Sequence, residues 1–192
     1  MDFSGMLVPV AIGVVVILYA ISLYNRLVAL KHNVGEAWSN IDVLLRQRYE
    51  ELPKLVEVCK QYMTYERETL ERIVALRNEG DACLSKGDVS GVSATEGLLG
   101  RAMTGLLARA EAYPDLKSNE HFKQLMGRVT GLEESISDRR EFYNEAVNIN
   151  NIRREQFPDL IVARLFNFGA FPLFEAKEEE RADISMKSLF GA

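Results

Sequence analysis

The fold is decided by two consecutive stretches, FSGMLVPVAIGVVVILYAISLY at residues 3–24 and NRLVALKHNVGEAWSNIDVLLRQRYEEL at residues 25–52. The first stretch contains no charged residue, and as an α-helix it is about 33 Å long, enough to cross the hydrocarbon core of a bilayer. Its only proline, Pro9, falls in the first turns, where proline is tolerated. The sequence therefore predicts one transmembrane helix that contacts the lipid bilayer through residues 3–24.

The alternative to a retained anchor is a cleaved signal peptide. The chain begins MDFS, with no positive charge, and its apolar run is longer than the core of a signal peptide, so we expect a retained anchor. Asp2 precedes the run, whereas Arg26 and Lys31 follow it. The positive-inside rule therefore predicts a single-pass protein of the cell (inner) membrane, with a short N-terminus outside and the remaining domain in the cytoplasm.

Beyond the anchor, apolar residues recur at three- and four-residue intervals, which is typical of a helix that packs in a bundle or a coiled coil. The first stripe comprises Leu27, Leu30, Val34, Ala37, Ile41 and Leu44, widened by Trp38 and Leu45. Pro53 cannot donate a backbone hydrogen bond and disfavours helix at the residue before it. A boundary between two helices is expected there, as either a chain reversal or a kink.

Three further helices are predicted. The spacing resumes from Leu55 to Leu76, and the glycines and aspartates of residues 78–91 indicate a loop. Another helix is expected over about 92–112, and the longest over 119–156, with Ser118 as its N-cap and Phe157-Pro158 as its end. No strand pattern competes, so the predicted fold is all-α, with the transmembrane helix continuing into an antiparallel up-and-down four-helix bundle. The sequence predicts three parts: an anchor at 1–25, a bundle at 26–175 and an acidic, weakly ordered tail at 176–192.

Composition and motifs give no support for catalysis. A net charge of −5 argues against a nucleic-acid surface. Neither His32 nor His121 stands in a metal-binding motif, and the sequence contains no phosphate-binding loop or nucleophile elbow. We therefore expect no enzyme activity, no cofactor and no metal. Cys59 and Cys83 are interpreted as free thiols, with one disulfide between them as the alternative.

Two features remain as candidate interaction sites. Polar residues near apolar neighbours, at Asn25, Asn33, Arg139, Tyr143, Asn144 and Asn151, are interpreted as a hydrogen-bonded core network, with a ligand site as the alternative. The segment from Phe157 to Phe174 is rich in phenylalanine, including Phe166 and Phe168. This segment is expected to close the end of the bundle; the alternatives are that it dips into the membrane surface or holds a partner.

Several motifs together resemble the LemA family. They are YNRLV at 24–28, AWSNIDVLL at 37–45 around Trp38, LPKLV at 52–56, YPDLK at 113–117, Arg139-Arg140 with Tyr143-Asn144, Phe157-Pro158, Phe166-Asn167-Phe168 and Phe174-Glu175. The resemblance implies a bacterial protein with one N-terminal membrane helix and an antiparallel helical bundle, and it favours a reversal at Pro53. It supplies no catalytic residues.

This sequence departs from the family pattern at several positions. Asn40 stands where the family often has Asp, and Tyr65-Glu66 stands where the family often has His before the glutamate. Glu133-Glu134-Ser135-Ile136 stands where it often has Glu-Asn-Arg-Ile. Asn150-Asn151 replaces a second Tyr-Asn pair, and Phe166-Asn167-Phe168 replaces Phe-Gly-Phe. These departures bear on any role of a shared polar network rather than on the fold.

The preferred functional hypothesis is a membrane-anchored, non-enzymatic scaffold or interaction protein of the bacterial cell envelope that binds a protein partner or further copies of itself. The alternative is a membrane-tethered sensor or adaptor that binds a small ligand in the bundle. The residues expected to carry interaction or structural roles are Trp38, Arg139, Tyr143, Asn144, Asn151, Phe157, Phe166, Phe168 and Phe174.

Overall fold

A computed structural model describes the backbone of residues 3–174 and the side chains of residues 7–174. All regular structure in this range is helical: α1 (Phe3–Tyr62), α2 (Arg67–Ser85), α3 (Val89–Ala110), α4 (Pro114–Ser118), α5 (Glu120–Glu155) and α6 (Asp159–Leu165). The predicted all-α class with an N-terminal apolar helix is confirmed. The predicted tail at 176–192 lies outside the described residues.

The N-terminal half of α1 has the character of a membrane anchor. This helix is long and apolar enough to cross a membrane, and its large side chains from Leu7 to Ile21 are exposed. Burial begins at Leu23 and continues along the predicted stripe at Leu27, Val34 and Ile41. The helix is therefore apolar and exposed up to Ile21, whereas from Leu23 onward one of its faces is buried.

The prediction of a helix boundary at Pro53 is wrong, because α1 continues through Pro53 to Tyr62. The chain therefore does not reverse at Pro53, and the next long helix begins only at Arg67. Proline in a helix interior leaves the carbonyl four residues earlier, here that of Tyr49, without its usual N–H donor. In this structure, Arg77 Nε donates to the Tyr49 carbonyl oxygen at 2.8 Å. A side chain from α2 thus replaces the hydrogen bond that Pro53 removes.

The loop predicted over residues 78–91 is also wrong, since helix covers most of it. Helix α2 continues to Ser85, and only residues 86–88 connect it to α3. Gly80 is buried in α2, where an added Cβ would overlap the Tyr49 phenol oxygen. A close helix approach, rather than a turn, accounts for this glycine. The short connection has Gly87 at φ +69°, and the Asp88 side chain caps α3 by accepting from the Gly91 N–H at 2.9 Å.

The longest predicted helix agrees well with α5, but its cap differs from the expected one. The side-chain oxygen of Asn119 accepts from the Phe122 N–H at 3.0 Å, which is an N-cap bond. Ser118 belongs instead to the short helix α4, where its hydroxyl donates to the Asp115 carbonyl.

The chain divides into two compact units that are not contiguous in sequence. Among the described residues, one unit contains 3–39 and 141–172, and the other contains 40–140 with 173–174. Helices α1 and α5 each contribute to both units. The predicted division at residues 25 and 175, and the four-helix bundle, remain predictions.

Replacing Arg77 with Met tests the link between Arg77 and Pro53, because Met keeps the aliphatic stem but loses the donor. The free energy of unfolding should fall by about 1–2 kcal/mol, the value of a charge-assisted bond to a buried carbonyl. In a Pro53→Ala background the backbone N–H is restored, so the same change should cost less than half as much. Equal costs in the two backgrounds, measured by chemical denaturation, would show that Arg77 does not compensate for Pro53.

Candidate functional site

Tyr143 joins two chain segments within the unit that contains the anchor. Its buried ring contacts Trp38 of α1, with ring centroids 5.4 Å apart, and its hydroxyl donates to the Pro172 carbonyl at 2.9 Å. Burial raises the pKa of Tyr143 from about 10 to about 12. The hydroxyl therefore stays protonated and keeps donating at every physiological pH.

Asn151 holds the same segment through a two-bond contact. Its side-chain NH₂ donates to the Phe171 carbonyl at 3.0 Å, and its side-chain oxygen accepts from the Phe171 N–H at 3.1 Å. The Nδ2 of buried Asn150 lies 3.3 Å from the same oxygen of Asn151. Residues 171 and 172 lie outside any helix, so no helical hydrogen bonds pair their backbone groups. The side chains of Tyr143 and Asn151 provide hydrogen-bond partners instead. Asn150-Asn151 therefore keeps the asparagine of the family's Tyr-Asn pair at position 151, where its side chain binds the backbone of Phe171.

The aromatic residues after α6 form a cluster with Tyr24 at the end of the apolar run. The Tyr24 ring lies 4.8 Å from Phe166 and 5.8 Å from Phe168, measured between centroids. Between these two phenylalanines, Asn167 adopts φ +54°, a left-handed conformation that glycine and asparagine accept most easily. The Phe168 N–H donates to the Ala163 carbonyl at 2.9 Å, so Asn167 ends α6 in a Schellman-type cap. Asn is therefore a physically sound substitute for the family glycine.

A cavity of about 300 Å³ opens beside this cluster. It is lined by Tyr24, Val28, Lys31, His32, Phe166, Asn167, Phe168, Gly169 and Phe171. Four of the nine lining residues carry a phenyl or phenol ring, and the others include one ammonium group and one imidazole but no carboxylate or thiol. Such a lining can bind an apolar or anionic group.

The remaining predicted residues lie at separate places. Phe157 is largely exposed and Asn144 is half-buried, both within the anchor's unit. Arg139 is exposed and Phe174 is buried, and both belong to the other unit. Asn25 and Asn33 are exposed, so they lie outside the core network that the sequence predicted. The structure therefore groups Trp38 with Tyr143, joins Tyr143 and Asn151 to the 171–172 segment, and places Phe166 and Phe168 on Tyr24.

Sequence reasoning missed a buried ionic group in the other unit. Arg48 and Tyr49 of α1 both donate to the carboxylate of Glu96 on α3, with the Tyr49 hydroxyl at 2.7 Å. Burial, and then the charge of Glu96, raise the pKa of Tyr49 well above its usual range. The available signal was the position of Glu96 on the apolar face of α3, four residues after Val92 and three before Leu99.

The two cysteines do not form a disulfide, and the glutamates at 66 and 71 form ion pairs. Cys59 and Cys83 are both free, and burial raises the pKa of the Cys59 thiol to about 11. Glu66 pairs with Arg109 at 2.9 Å, and Glu71 pairs with Arg67 at 2.7 Å. Within residues 7–174, no group of three or more potential ligands is placed to hold a metal ion.

These features define a class: an all-helical protein whose first helix is long and apolar enough to span a membrane. Residues 37–187 match the model of the LemA family, and the chain therefore belongs to the LemA family. It is 26% identical to protein LemA of Metamycoplasma hominis, over 86% of this chain and 74% of that protein.

The chain is also similar to two magnetosome proteins. It is 25% identical to magnetosome protein MamQ 2 of Paramagnetospirillum magneticum, over 87% of this chain and 70% of that protein. It is 22% identical to magnetosome protein MamQ of Magnetospirillum gryphiswaldense over the same shares.

Replacing Asn151 with Leu tests whether this residue holds the 171–172 segment. Both bonds to Phe171 are lost, so the free energy of unfolding should fall by about 1–3 kcal/mol, and hydrogen exchange at the Phe171 amide should accelerate. The matched control is Asn148→Leu, at an exposed position of the same helix, where a change within about 0.5 kcal/mol is expected. Unchanged exchange at Phe171 in the Asn151 variant would contradict this role.

Proposed function

We propose that this protein is a membrane-anchored, non-enzymatic scaffold or interaction protein of the bacterial cell envelope. The observation that carries the proposal is an apolar stripe on the outer face of α5, formed by Phe142, Ile149 and Ile152. All three side chains are exposed. Their spacing of seven and then three residues is that of a seam between paired helices. The stripe therefore suits a helix from a protein partner or from a second copy of the chain.

The opposite face of α5 supports this interpretation of the stripe. Tyr143, Val147 and Asn150 are buried, and they repeat at four and three residues. The helix thus has one face in the core of its own unit and a second apolar face in solvent. Scattered exposed apolar residues are common on protein surfaces, whereas a stripe with helical spacing is typical of an interaction site.

The non-enzymatic part of the proposal is supported by the state of the candidate groups. Glu96 is buried between Arg48 and Tyr49, and the Glu66 carboxylate is engaged by Arg109. The group that most often acts as a general base is an imidazole or a carboxylate within reach of a bound substrate. The 300 Å³ cavity beside Tyr24 offers only the His32 imidazole among such groups.

The antiparallel bundle is proposed for residues 40–140 on the basis of contacts between distant residues. Glu51 of α1 pairs with Arg128 of α5 at 2.9 Å, while Tyr62, eleven residues further along α1, accepts from Asn119 at 3.0 Å. An increase in residue number on one helix accompanies a decrease on the other. The pairing of Glu66 with Arg109, at the start of α2 and the end of α3, supports opposite directions for that pair as well.

Changing Ile149 and Ile152 together to Glu tests the scaffold proposal. In mild detergent, the wild-type chain should purify as an oligomer or with a stoichiometric membrane partner, and the double variant should lose that association because charge is costly in a dry helix seam. The matched control is Asn148→Glu, which adds a charge to an exposed position of the same helix. Light scattering and intact-complex mass spectrometry give the stoichiometry. Association that survives in the double variant would overturn the role of the stripe.

A membrane-tethered sensor is the second candidate function, favoured by the cavity beside Tyr24. Its volume lies at the lower end of the range for small-ligand sites. The same purified protein distinguishes the two functions. A saturable rise of Tm with one metabolite, lost in Lys31→Ala, together with no associated protein, would favour the sensor.

The cytoplasmic placement of the domain is likewise a proposal, supported by Arg26 and Lys31 after the apolar run. Cys83 is half-buried in α2 rather than in a loop, so a cysteine at the exposed Ser118 is the better probe. In a Cys83→Ala background, Ser118→Cys should react with a membrane-impermeant maleimide only after cells are opened. Asp2→Cys in the same background should react in intact cells. The reverse pattern would show the opposite orientation.

A further inference from the structure

Helix α6 packs against α1 at the point where the apolar run ends. Val162 and Ala163 of α6 form a buried cluster with Leu23 and Leu27 of α1. Leu23 is the next-to-last residue of the uncharged run at 3–24. The contact therefore lies at the end of the anchor that faces the folded domain.

The rise of the α-helix gives the depth of this contact in a membrane. A helical run over residues 3–24 is about 33 Å long, close to the thickness of the hydrocarbon core. Leu27 is four residues beyond Leu23, which is about 6 Å. The headgroup layer on each side of the core is about 5–8 Å thick. A helix packed on both leucines therefore lies at the level of the headgroups.

The face of α6 that points away from α1 is apolar and exposed. Ile161 and Leu165 are 59% and 76% exposed, and Phe157, which precedes the helix, is 80% exposed. Ile161 and Leu165 are four residues apart and lie on one side of α6, and Phe157 lies just before its N-terminus. Asp159, Val162 and Ala163 occupy the other side and are buried. Helix α6 thus has one face in the core of its unit and a second apolar face that needs another environment.

We propose that Phe157, Ile161 and Leu165 insert into the membrane interface and form a second lipid contact beside the transmembrane helix. The lipid bilayer is the occupant that the position of α6 favours, because the exposed side chains from Leu7 to Ile21 on the adjoining helix already require lipid. An interfacial helix buries its apolar face at the boundary between headgroups and acyl chains. This contact is independent of the α5 stripe and of any protein partner.

The charges around this face complement a headgroup layer. Arg164 follows Ala163 on α6 and is exposed, and Arg26 and Lys31 are exposed on the adjoining turns of α1. Long basic side chains at this depth extend toward lipid phosphates while their stems stay apolar. The surface therefore combines apolar insertion with cationic contacts.

Quenching of a single tryptophan by brominated lipid tests this contact in the full-length chain. Trp38 is the only tryptophan, so Trp38→Phe provides the background for Leu165→Trp and, separately, Ile161→Trp. The protein is reconstituted in phosphatidylcholine vesicles whose acyl chains carry bromine near the glycerol end. Leu18→Trp, in the anchor, is the positive control. Ser39→Trp, exposed on α1 about 22 Å beyond Tyr24, is the negative control.

A tryptophan at position 161 or 165 should lose most of its fluorescence emission in brominated vesicles, as a tryptophan at position 18 does. A tryptophan at position 39 should keep its emission. Emission at 165 that is unquenched and water-like would overturn the proposal. Unquenched but blue-shifted emission would also overturn it, and would indicate a covering protein. If a tryptophan variant unfolds by circular dichroism, a nitroxide on Leu165→Cys in a Cys83→Ala background replaces it. Oxygen, which partitions into lipid, should relax this nitroxide more strongly than a water-soluble nickel chelate does.

Discussion

The contacts of Tyr49 connect α1 to both α2 and α3 within the 40–140 unit. Its carbonyl accepts from Arg77 of α2, its hydroxyl donates to Glu96 of α3, and its ring occupies the space left by Gly80. One residue of α1 therefore contacts both following helices through backbone, hydroxyl and ring. Because Pro53 frees the carbonyl that Arg77 uses, the proline belongs to this arrangement rather than interrupting it.

The parts of the fold that were predictable follow from long, regular patterns. The uncharged run at 3–24, the stripe through Leu27, Val34 and Ile41, and the length of α5 each rest on many residues, so one exception does not change the result. The errors arose where one residue type was taken as punctuation. Arg77 of α2 supplies to the Tyr49 carbonyl the donor that Pro53 lacks, and the Tyr49 side chain of α1 packs against Gly80 of α2. A single sequence does not show which distant side chains fill these roles.

The same distinction applies to the candidate site. Composition singled out the segment from Phe157 to Phe174 because it is rich in phenylalanine. It did not indicate that Asn151 would pair with both backbone groups of Phe171, or that position 167 would need a left-handed conformation. These features depend on backbone geometry after α6, which pattern reasoning does not reach. Of the polar residues that the sequence singled out, Tyr143 and Asn151 hydrogen-bond to the 171–172 segment, whereas Asn25 and Asn33 are exposed.

The distribution of polar and apolar groups supports the proposed interaction role on physical grounds. Burying Glu96 is tolerable only because Arg48 and Tyr49 both donate to it, and a carboxylate held in this way gives specific packing rather than a free proton acceptor. The outer faces of α5 and α6 show the opposite arrangement, with large apolar side chains in solvent. Covering such a face with a helix or a lipid surface removes apolar area from water and is therefore favourable. The polar groups of this fold thus serve its interior, while its exposed apolar groups are suited to bind other molecules.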